Sequence, residues 1–564
     1  MIEERPSNHS GPRYKPCSRR EKPGCAHWLC LNIGFSVTGK QHPRGCAAET
    51  APSPHGSAAT FEDCFPLKDL LRIKVILNSG EEANPGHMNV YLIACLIGWV
   101  PVGAYLFRRY PARIAILANF LGGWAVLPGA VYVPATATFP YWIMGVSLPT
   151  NYLLTKATVT GLAGLVGVSL FHFKDLKRFR PGLCDLPMAI WCCVPLLAAA
   201  ANWSTFPEGL CDAAYLVIAW GVPWLLGRLY FSDDESLLLF AKACIVGGVC
   251  YVPICLVELC TGPQLYAFVY GYQPYRWIGA ERYLGFRPIG MMEDGNQLGI
   301  WMAAATLIAF ALLVRQPKSR LLGMPLGWVA AGLACTTLLC QSVGSIFLLL
   351  LLLPVTILKQ RTVLRRGVAV IVVCAAVFVL IRMTGLVPLR ALAHENGLLH
   401  SIVGILRHFG RQSFAWRLSR DESFIRIALQ TPLLGTGQWN WWQNGNSRPW
   451  SLWLLVFGMY GIVGLLALES ILLLPIIRVV WSSASNKTPG ELNLRPALAA
   501  LILMVAIDSL LNGAMILPYI LVMGALSSGE GFHTASAKQF WNYRRLFEAR
   551  APYLKPPKYR KIIN

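Results

Sequence analysis

The chain has 564 residues, of which 55% are hydrophobic and only 14% are charged, and its mean hydropathy is +0.48. This composition excludes a water-soluble protein of this size and predicts a polytopic membrane protein. The net charge of +22 is spread over short loops between apolar runs and the C-terminal segment, a distribution typical of the positive-inside rule and not of nucleic-acid binding.

Residues 1–87 differ from the rest of the chain because they are rich in Pro, Cys, Gly and charge and lack helical periodicity. They contain no signal pattern of a basic start followed by an apolar run. We therefore predict a disordered basic extension. The stretch "MNVYLIACLIGWVPVGAYLF", which begins at Met88, is expected to be the start of the functional membrane protein.

From residue 88 onward, apolar runs of about 20 residues, the length that crosses a bilayer, alternate with basic clusters. If every cluster lies in the cytoplasm, an even number of helices separates successive clusters. This predicts an all-α transmembrane bundle of about 12–13 helices. The predicted crossings are 89–107, 112–133, 151–172, 186–202, 209–230, 237–259, 296–314, 321–339, 343–358, 367–383, 450–480 and two in the last apolar region, which breaks near "DSLLNG".

The same topology divides the chain into transmembrane helices 1–10 (88–383), a large extracytoplasmic loop (384–449), C-terminal transmembrane helices (450–527) and a basic cytoplasmic tail (528–564). Segment 261–295 also falls on the outer side. Both outer segments contain arginines and no lysine. Because the planar guanidinium matches phosphate oxygens bidentately, this set predicts a phosphate or diphosphate ligand; pairing with nearby acidic residues is the alternative for each arginine.

Two outer stretches carry motifs. In "RYLGFRPIGMMEDGNQLGIWMAAA" (282–305), an arginine and a glycine-bearing turn precede Asn296, which we predict to cap an apolar helix. In "SRDESFIRIALQTPLLGTG" (419–437), a helix is expected to end at Pro432, and Gly435 and Gly437 allow a tight turn before the aromatic segment "WNWW". That segment suits a membrane-interface belt or a platform for sugar rings.

Taken in order, these motifs resemble the O-antigen ligase and O-antigen polymerase superfamily of polytopic membrane proteins. The resemblance covers about residues 260–470. The counterparts of the family motifs are Arg287 with Asn296, "QSVGS" at 341–345, Arg420 with Phe424, Ala428, Pro432, Gly435 and Gly437, and Gly461 with Gly464. The chain departs from the family where the histidine after the large loop is expected, because Trp450, followed by Ser451, stands there.

The resemblance implies transfer or polymerisation of glycans from a polyprenyl-diphosphate carrier at the outer face of a bacterial inner membrane, with no metal, cofactor or nucleic acid. The implied partners are the lipid bilayer, the lipid-linked glycan and a glycan or lipid acceptor. The side chains expected to bind the diphosphate are Arg282, Arg287, Arg411, Arg417 and Arg420. The side chains considered for acid–base catalysis are Glu293, Asp294, His408, Asp421 and Glu422.

Two other functions stay open. Trp450 favours a non-catalytic relative that binds a lipid-linked glycan, whereas ionisable groups inside apolar runs, at Glu258, Glu469 and Asp508, suit a transporter or flippase. No inverted repeat is evident, which counts against transport. We expect Glu258 to pair with the arginine-bearing loop, and Asp508 and Asn512, one turn apart, to position a broken helix.

Overall fold

The computed structural model describes much of the chain between Val90 and Ser527, and 77% of the described residues are helical. At 361–364 and 413–420 only the backbone is described. The described residues are 90–130, 145–147, 154–202, 206–271, 281–282, 284–357, 361–384, 397, 401, 404, 413–442, 448–481, 493–513 and 515–527. The all-α prediction is confirmed for this part of the chain.

The main helices are numbered in chain order. They are α1 (Val90–Arg109), α2 (Ala112–Val126), α3 (Lys156–Phe171), α4 (Leu186–Ala201), α5 (Phe206–Tyr230), α6 (Asp234–Thr261), α7 (Gly295–Arg315), α8 (Leu326–Leu339), α9 (Val343–Ile357), α10 (Arg361–Thr384), α11 (Ser413–Ala428), α12 (Leu452–Trp481), α13 (Arg495–Ser509) and α14 (Leu517–Ser527). Two short antiparallel hairpins join β1 (Glu281–Arg282) to β2 (Gly285–Phe286) and β3 (Arg320–Leu321) to β4 (Met324–Pro325).

Among the described residues, seven helices are long and apolar enough to cross a membrane, as expected for a multi-pass membrane protein. Except for α11, the helices fall on the apolar runs from which crossings were predicted. The largest difference in bounds is at α2, which ends at Val126 and not at residue 133. The predicted break near "DSLLNG" is confirmed, since α13 ends at Ser509 and helical structure resumes at Leu517.

Helix α7 forms the centre of the bundle, with α6, α8, α9 and α13 packed around it. Its most apolar stretch is 83% buried, whereas that of α10 is only 11% buried. Small residues allow this close packing, because a Cβ at Gly299 would lie only 2.5 Å from the Cβ of Ser342. The N-terminal end of α7 is therefore surrounded by several other elements.

Arginines of the predicted cytoplasmic clusters meet at the other end of the bundle. Arg315, which ends α7, donates from Nε to the carbonyl oxygen of Asn493 at 2.8 Å. Close ion pairs at this end join Arg113 Nη2 to Asp233 Oδ2 at 2.5 Å, Arg228 Nε to Asp185 Oδ1 at 2.9 Å and Arg495 Nε to Asp234 Oδ1 at 3.2 Å. The groups considered as a functional site lie at the opposite end, where α7 begins.

Candidate functional site

Arg287 lies between β2 and the start of α7, where two side chains orient its guanidinium. Its Nη2 donates to Asn296 Oδ1 at 2.8 Å and to Ser342 Oγ at 3.0 Å. Ser342 Oγ lies 2.9 Å from Ser345 Oγ. Gly295 permits this approach, since a Cβ there would lie 2.5 Å from Arg287 Nε. The structure thus brings together the arginine, the asparagine and the serine turn that the sequence motifs singled out.

The cap of α7 is Asp294, not Asn296 as predicted. Asp294 Oδ1 accepts a hydrogen bond from the backbone N–H of Gln297 at 2.7 Å, and the helix begins at Gly295. Asn296 therefore lies inside the first turn, where its amide oxygen is available to Arg287. Asp294, considered for catalysis from the sequence, has a structural role in this arrangement.

Glu258 supports the turn that carries Arg287, and it pairs with the arginine-bearing loop, as predicted, through backbone N–H groups. Its buried carboxylate accepts hydrogen bonds from the backbone N–H groups of Leu265 at 3.2 Å, Ile289 at 2.8 Å and Gly290 at 2.7 Å. Backbone N–H donors stabilise a buried carboxylate through charge-assisted hydrogen bonds. The sequence gives no signal for such partners, because every residue except proline offers an N–H group.

Glu293 forms a buried ion pair with Lys156, a residue that the sequence reasoning missed. The ammonium of Lys156 contacts Glu293 Oε1, and the side chains are 0% and 1% exposed. Lys156 Nζ also lies 4.2 Å from the centroid of the Trp124 ring. Burial raises the pKa of Glu293, and the adjacent ammonium opposes that rise. This environment suits a residue that holds α3 against the turn before α7 better than one that contacts a substrate.

Asp421 is buried beside the position where the family histidine is expected. Its Oδ2 accepts from Ser451 Oγ at 2.8 Å, and its Oδ1 accepts from the backbone N–H of Trp450 at 3.1 Å. Glu422 Oε2 is buried and has no hydrogen-bond partner among the described residues. Buried Arg382, near the end of α10, interacts electrostatically with both carboxylates. These three ionisable side chains form a second cluster at this end of the bundle.

The remaining candidates lie in β1, on α11 or outside the described residues. Arg282 is half-buried in β1, opposite Gly285 in the hairpin. Arg417 and Arg420 lie on α11, and only their backbone is described; Arg420 directly precedes Asp421. His408 and Arg411 lie outside the described residues. The predicted extension 1–87 and tail 528–564 also lie outside them.

Helix α12 is broken at Gly461, inside the apolar run at 450–480. Gly461 has φ 63° and ψ −161°, a conformation that essentially only glycine adopts. The break separates a fully buried half-helix, Leu452–Tyr460, from a longer helix that continues to Trp481. Non-helical backbone at membrane depth requires protein partners for its freed polar groups.

Segment 432–437 supplies those partners, since it docks along the break. A straight helix would bond the N–H groups of Ile462 and Val463 to the carbonyls of Gly458 and Met459. In their place, four bonds run from Ile462 N to Pro432 O (2.8 Å), Val463 N to Leu433 O (3.4 Å), Thr436 N to Gly458 O (3.1 Å) and Gly437 N to Met459 O (2.9 Å). The motifs "PLLGTG" and "GMYGIVG" therefore form one structural unit. Gly435 and Gly437 both have φ 69°, as the predicted tight turn requires.

The aromatic segment after this turn belongs to the protein core and not to an exposed belt. Trp441 and Trp442 are buried, and their ring centroids are 5.8 Å apart. The Trp441 ring also packs edge-on against Phe424 and directly on Gly458, where a Cβ would lie 2.1 Å from the indole. These rings hold α11 and the docked segment against α12.

A buried carboxylate anchors the half-helix of α12 from its other side. Asp212 Oδ1 accepts from Ser147 Oγ at 2.9 Å, and its Oδ2 lies 3.2 Å from the hydroxyl of Tyr460. Tyr460, the last residue before the break, is also 3.0 Å from the carbonyl oxygen of Val146. The end of the half-helix is thus held by side chains as well as by segment 432–437.

A small pocket lined by both polar and apolar residues opens beside Asn296, between α7 and the end of α13. Its lining residues are Asn296, Gln297, Ile300, Val505, Asp508, Asn512 and Ile516. Asp508 Oδ1 accepts a hydrogen bond from Asn512 Nδ2 at 2.5 Å, and Asn512 O accepts from the N–H of Leu452 at 3.2 Å. Asn296, which contacts Arg287, and Asn512, which contacts Leu452 at the start of α12, therefore line the same pocket.

Comparison of the sequence with models of known protein families and with curated proteins finds no match.

Proposed function

We propose that this chain transfers or polymerises glycans carried on a polyprenyl diphosphate, at the outer face of a bacterial inner membrane. The observation that supports the proposal most is the arrangement of Arg287, whose guanidinium is oriented by Asn296 and Ser342 at the N-terminal end of a central helix. An oriented guanidinium and a helix N-terminus both favour an anion. The ordered motifs around Gly435 and Gly461 add support, because they form one unit in the fold.

In the proposed reaction, a hydroxyl of the acceptor attacks the anomeric carbon of the lipid-linked sugar, and the diphosphate departs with the electron pair of the broken bond. Arg287, with Arg420 on α11, stabilises the charge that develops on the diphosphate. Oriented cationic donors contribute most when that charge is largest, in the transition state.

Trp450 favours a second candidate function, a relative that binds the lipid-linked glycan without turning it over. It stands where the family histidine is expected, and the guanidinium carbon of Arg448 lies 3.8 Å from the centroid of its ring. A residue in this stacked arrangement supplies no acid–base chemistry. Deletion of the gene distinguishes the two functions, because only loss of a transferase makes the lipid-linked glycan accumulate at the expense of surface polysaccharide.

In the deletion strain, Arg287→Lys and Arg420→Lys should restore function little better than the corresponding alanine variants. Lysine keeps the charge but lacks the fork that binds two phosphate oxygens at once. Loss of one such contact in the transition state should cost on the order of 2–4 kcal/mol, or roughly a 30-fold to 1000-fold drop in rate. The measurement is the level of lipid-linked glycan at matched amounts of protein.

Arg448→Lys is the matched control for these variants, because no diphosphate contact is assigned to Arg448 and a lysine ammonium keeps a cation–π attraction to Trp450, and it should behave as wild type. Wild-type behaviour of both Arg287→Lys and Arg420→Lys would contradict diphosphate recognition by these arginines. An unchanged profile of glycans in the deletion strain would contradict the proposed function itself.

The proposal also fixes which end of the bundle faces the cytoplasm. Reporters fused after Lys318 and after Arg361 should report the cytoplasm, because the arginine-rich end of the bundle obeys the positive-inside rule. Reporters fused after Gly385 and after Trp439 should report the outer compartment. A cytoplasmic signal from the 384–449 loop would place the Arg287 end on the wrong side for a lipid-linked donor that is used outside.

A further inference from the structure

The geometry points to Asp508 as the carboxylate that takes the proton from the attacking acceptor hydroxyl, an assignment that rests on the proposed function. Asp508 was not among the carboxylates considered for catalysis from the sequence. Asp508 lines a pocket together with Asn296, and the other carboxylates at this end are placed differently.

Four of the other described carboxylates at this end are held in structural roles. Glu293 is fully buried against Lys156, and Asp294 caps α7. Asp421 is 4% exposed, and each of its carboxylate oxygens accepts a hydrogen bond from residues at the start of α12. Glu258 accepts three backbone hydrogen bonds. Each of these groups would have to leave its partners before it could reach a sugar hydroxyl.

Asp508 is only partly buried and lines a pocket. Asn512 Nδ2 donates to its Oδ1, which orients the carboxylate. Asn296 lines the same pocket. Its Oδ1 accepts the hydrogen bond from Arg287, whereas its Nδ2 makes no hydrogen bond within the described part of the chain. The pocket therefore combines a carboxylate acceptor with an amide donor, the pair of groups that suits a hydroxyl able both to donate and to accept.

Asn296 also connects the two halves of the reaction. The Asn296 side chain contacts the guanidinium of Arg287, which is assigned to the departing diphosphate. The same side chain lines the pocket that contains Asp508. An acceptor hydroxyl in this pocket forms a bond from its oxygen to the anomeric carbon as the bond from that carbon to the diphosphate breaks. The electron pair leaves with the diphosphate beside Arg287, and the hydroxyl proton passes to Asp508. A base at this position accepts the proton that the family histidine would accept, which the indole of Trp450 cannot do.

The test compares full-length variants in the deletion strain and as purified protein in detergent. Asp508→Asn preserves the shape of the side chain and should lower transfer by roughly 100-fold to 10,000-fold, the contribution typical of a general base. Lipid-linked glycan should then accumulate in cells, while the purified variant binds a polyprenyl diphosphate as the wild type does. Arg287→Lys should instead weaken that binding. Asp508→Glu, which keeps a carboxylate, should recover part of the transfer.

Glu469→Gln is the control, because it removes a carboxylate from α12 at a residue that does not line the pocket, and it should transfer normally. Wild-type transfer by Asp508→Asn would overturn the assignment. Loss of both polyprenyl diphosphate binding and thermal stability in Asp508→Asn would also overturn it, since the residue would then be structural. If the deletion strain accumulates no lipid-linked glycan at all, the proposed function fails, and this assignment fails with it.

Discussion

Gly461→Ala should destabilise the folded protein by more than about 4 kcal/mol, a large fraction of the roughly 5–15 kcal/mol that typically stabilises a folded domain. A Cβ at this position would lie 2.3 Å from the carbonyl carbon and oxygen of Leu433, which are main-chain atoms of the docked segment. The conformation at φ 63° and ψ −161° is itself strained for any residue other than glycine. To relieve the clash or the backbone strain, segment 432–437 must leave the break, and four backbone hydrogen bonds are then lost.

The measurement is the apparent melting temperature of the full chain in detergent, together with the yield of monodisperse protein. Gly332→Ala provides the control, because Gly332 is helical in α8 and a Cβ there meets nothing within 4 Å. Alanine is the better helix former by about 1 kcal/mol, so this variant should be neutral or slightly more stable. A wild-type melting temperature for Gly461→Ala would show that the segment does not occupy the break.

Lys156→Met should cost about 3–5 kcal/mol, because it leaves the carboxylate of Glu293 buried without its cation. Glu293→Leu should cost a similar amount by stranding the ammonium. The combined variant should recover most of the loss, since a buried ion pair replaced by apolar side chains leaves no isolated charge. A double-mutant cycle on the free energy of unfolding measures the coupling between Lys156 and Glu293 directly.

Arg178→Met serves for comparison, since the Arg178 side chain is 70% exposed where it pairs with Asp175. An exposed pair contributes at most about 1 kcal/mol. If the combined Lys156 and Glu293 variant lost as much stability as the two single changes added together, the pair would make no net contribution as a unit.

The membrane helices could be predicted from the sequence because their signal is local. Apolar runs and basic clusters act over about 20 residues, and the bilayer leaves helix as the only way for such a run to satisfy its backbone. The break in α12 could not be predicted in this way. Gly461 stands in a continuous apolar run, and the segment that stabilises its conformation lies more than 20 residues earlier in the chain.

The motif residues of the site were predicted more successfully than the buried residues that hold them in place. Arg287 stood out as an arginine in a lysine-free outer segment, Asn296 as the predicted start of an apolar helix, and the serine turn through the family resemblance. Lys156 offered a signal that was overlooked, since a lysine in an apolar segment needs a buried partner. That partner, Glu293, is separated from it by more than 100 residues, a distance over which periodicity and spacing carry no information.

The docking of segment 432–437 into α12 also constrains how this sequence can diverge. A side chain at Gly461 is excluded by the main chain at Leu433, and one at Gly435 by the main chain at Met459. Neither glycine can change alone, because each accommodates backbone contributed by the other segment. In descendants of this chain the two segments should therefore be retained together or lost together, and a homologue with a straight α12 should also lack the turn at Gly435.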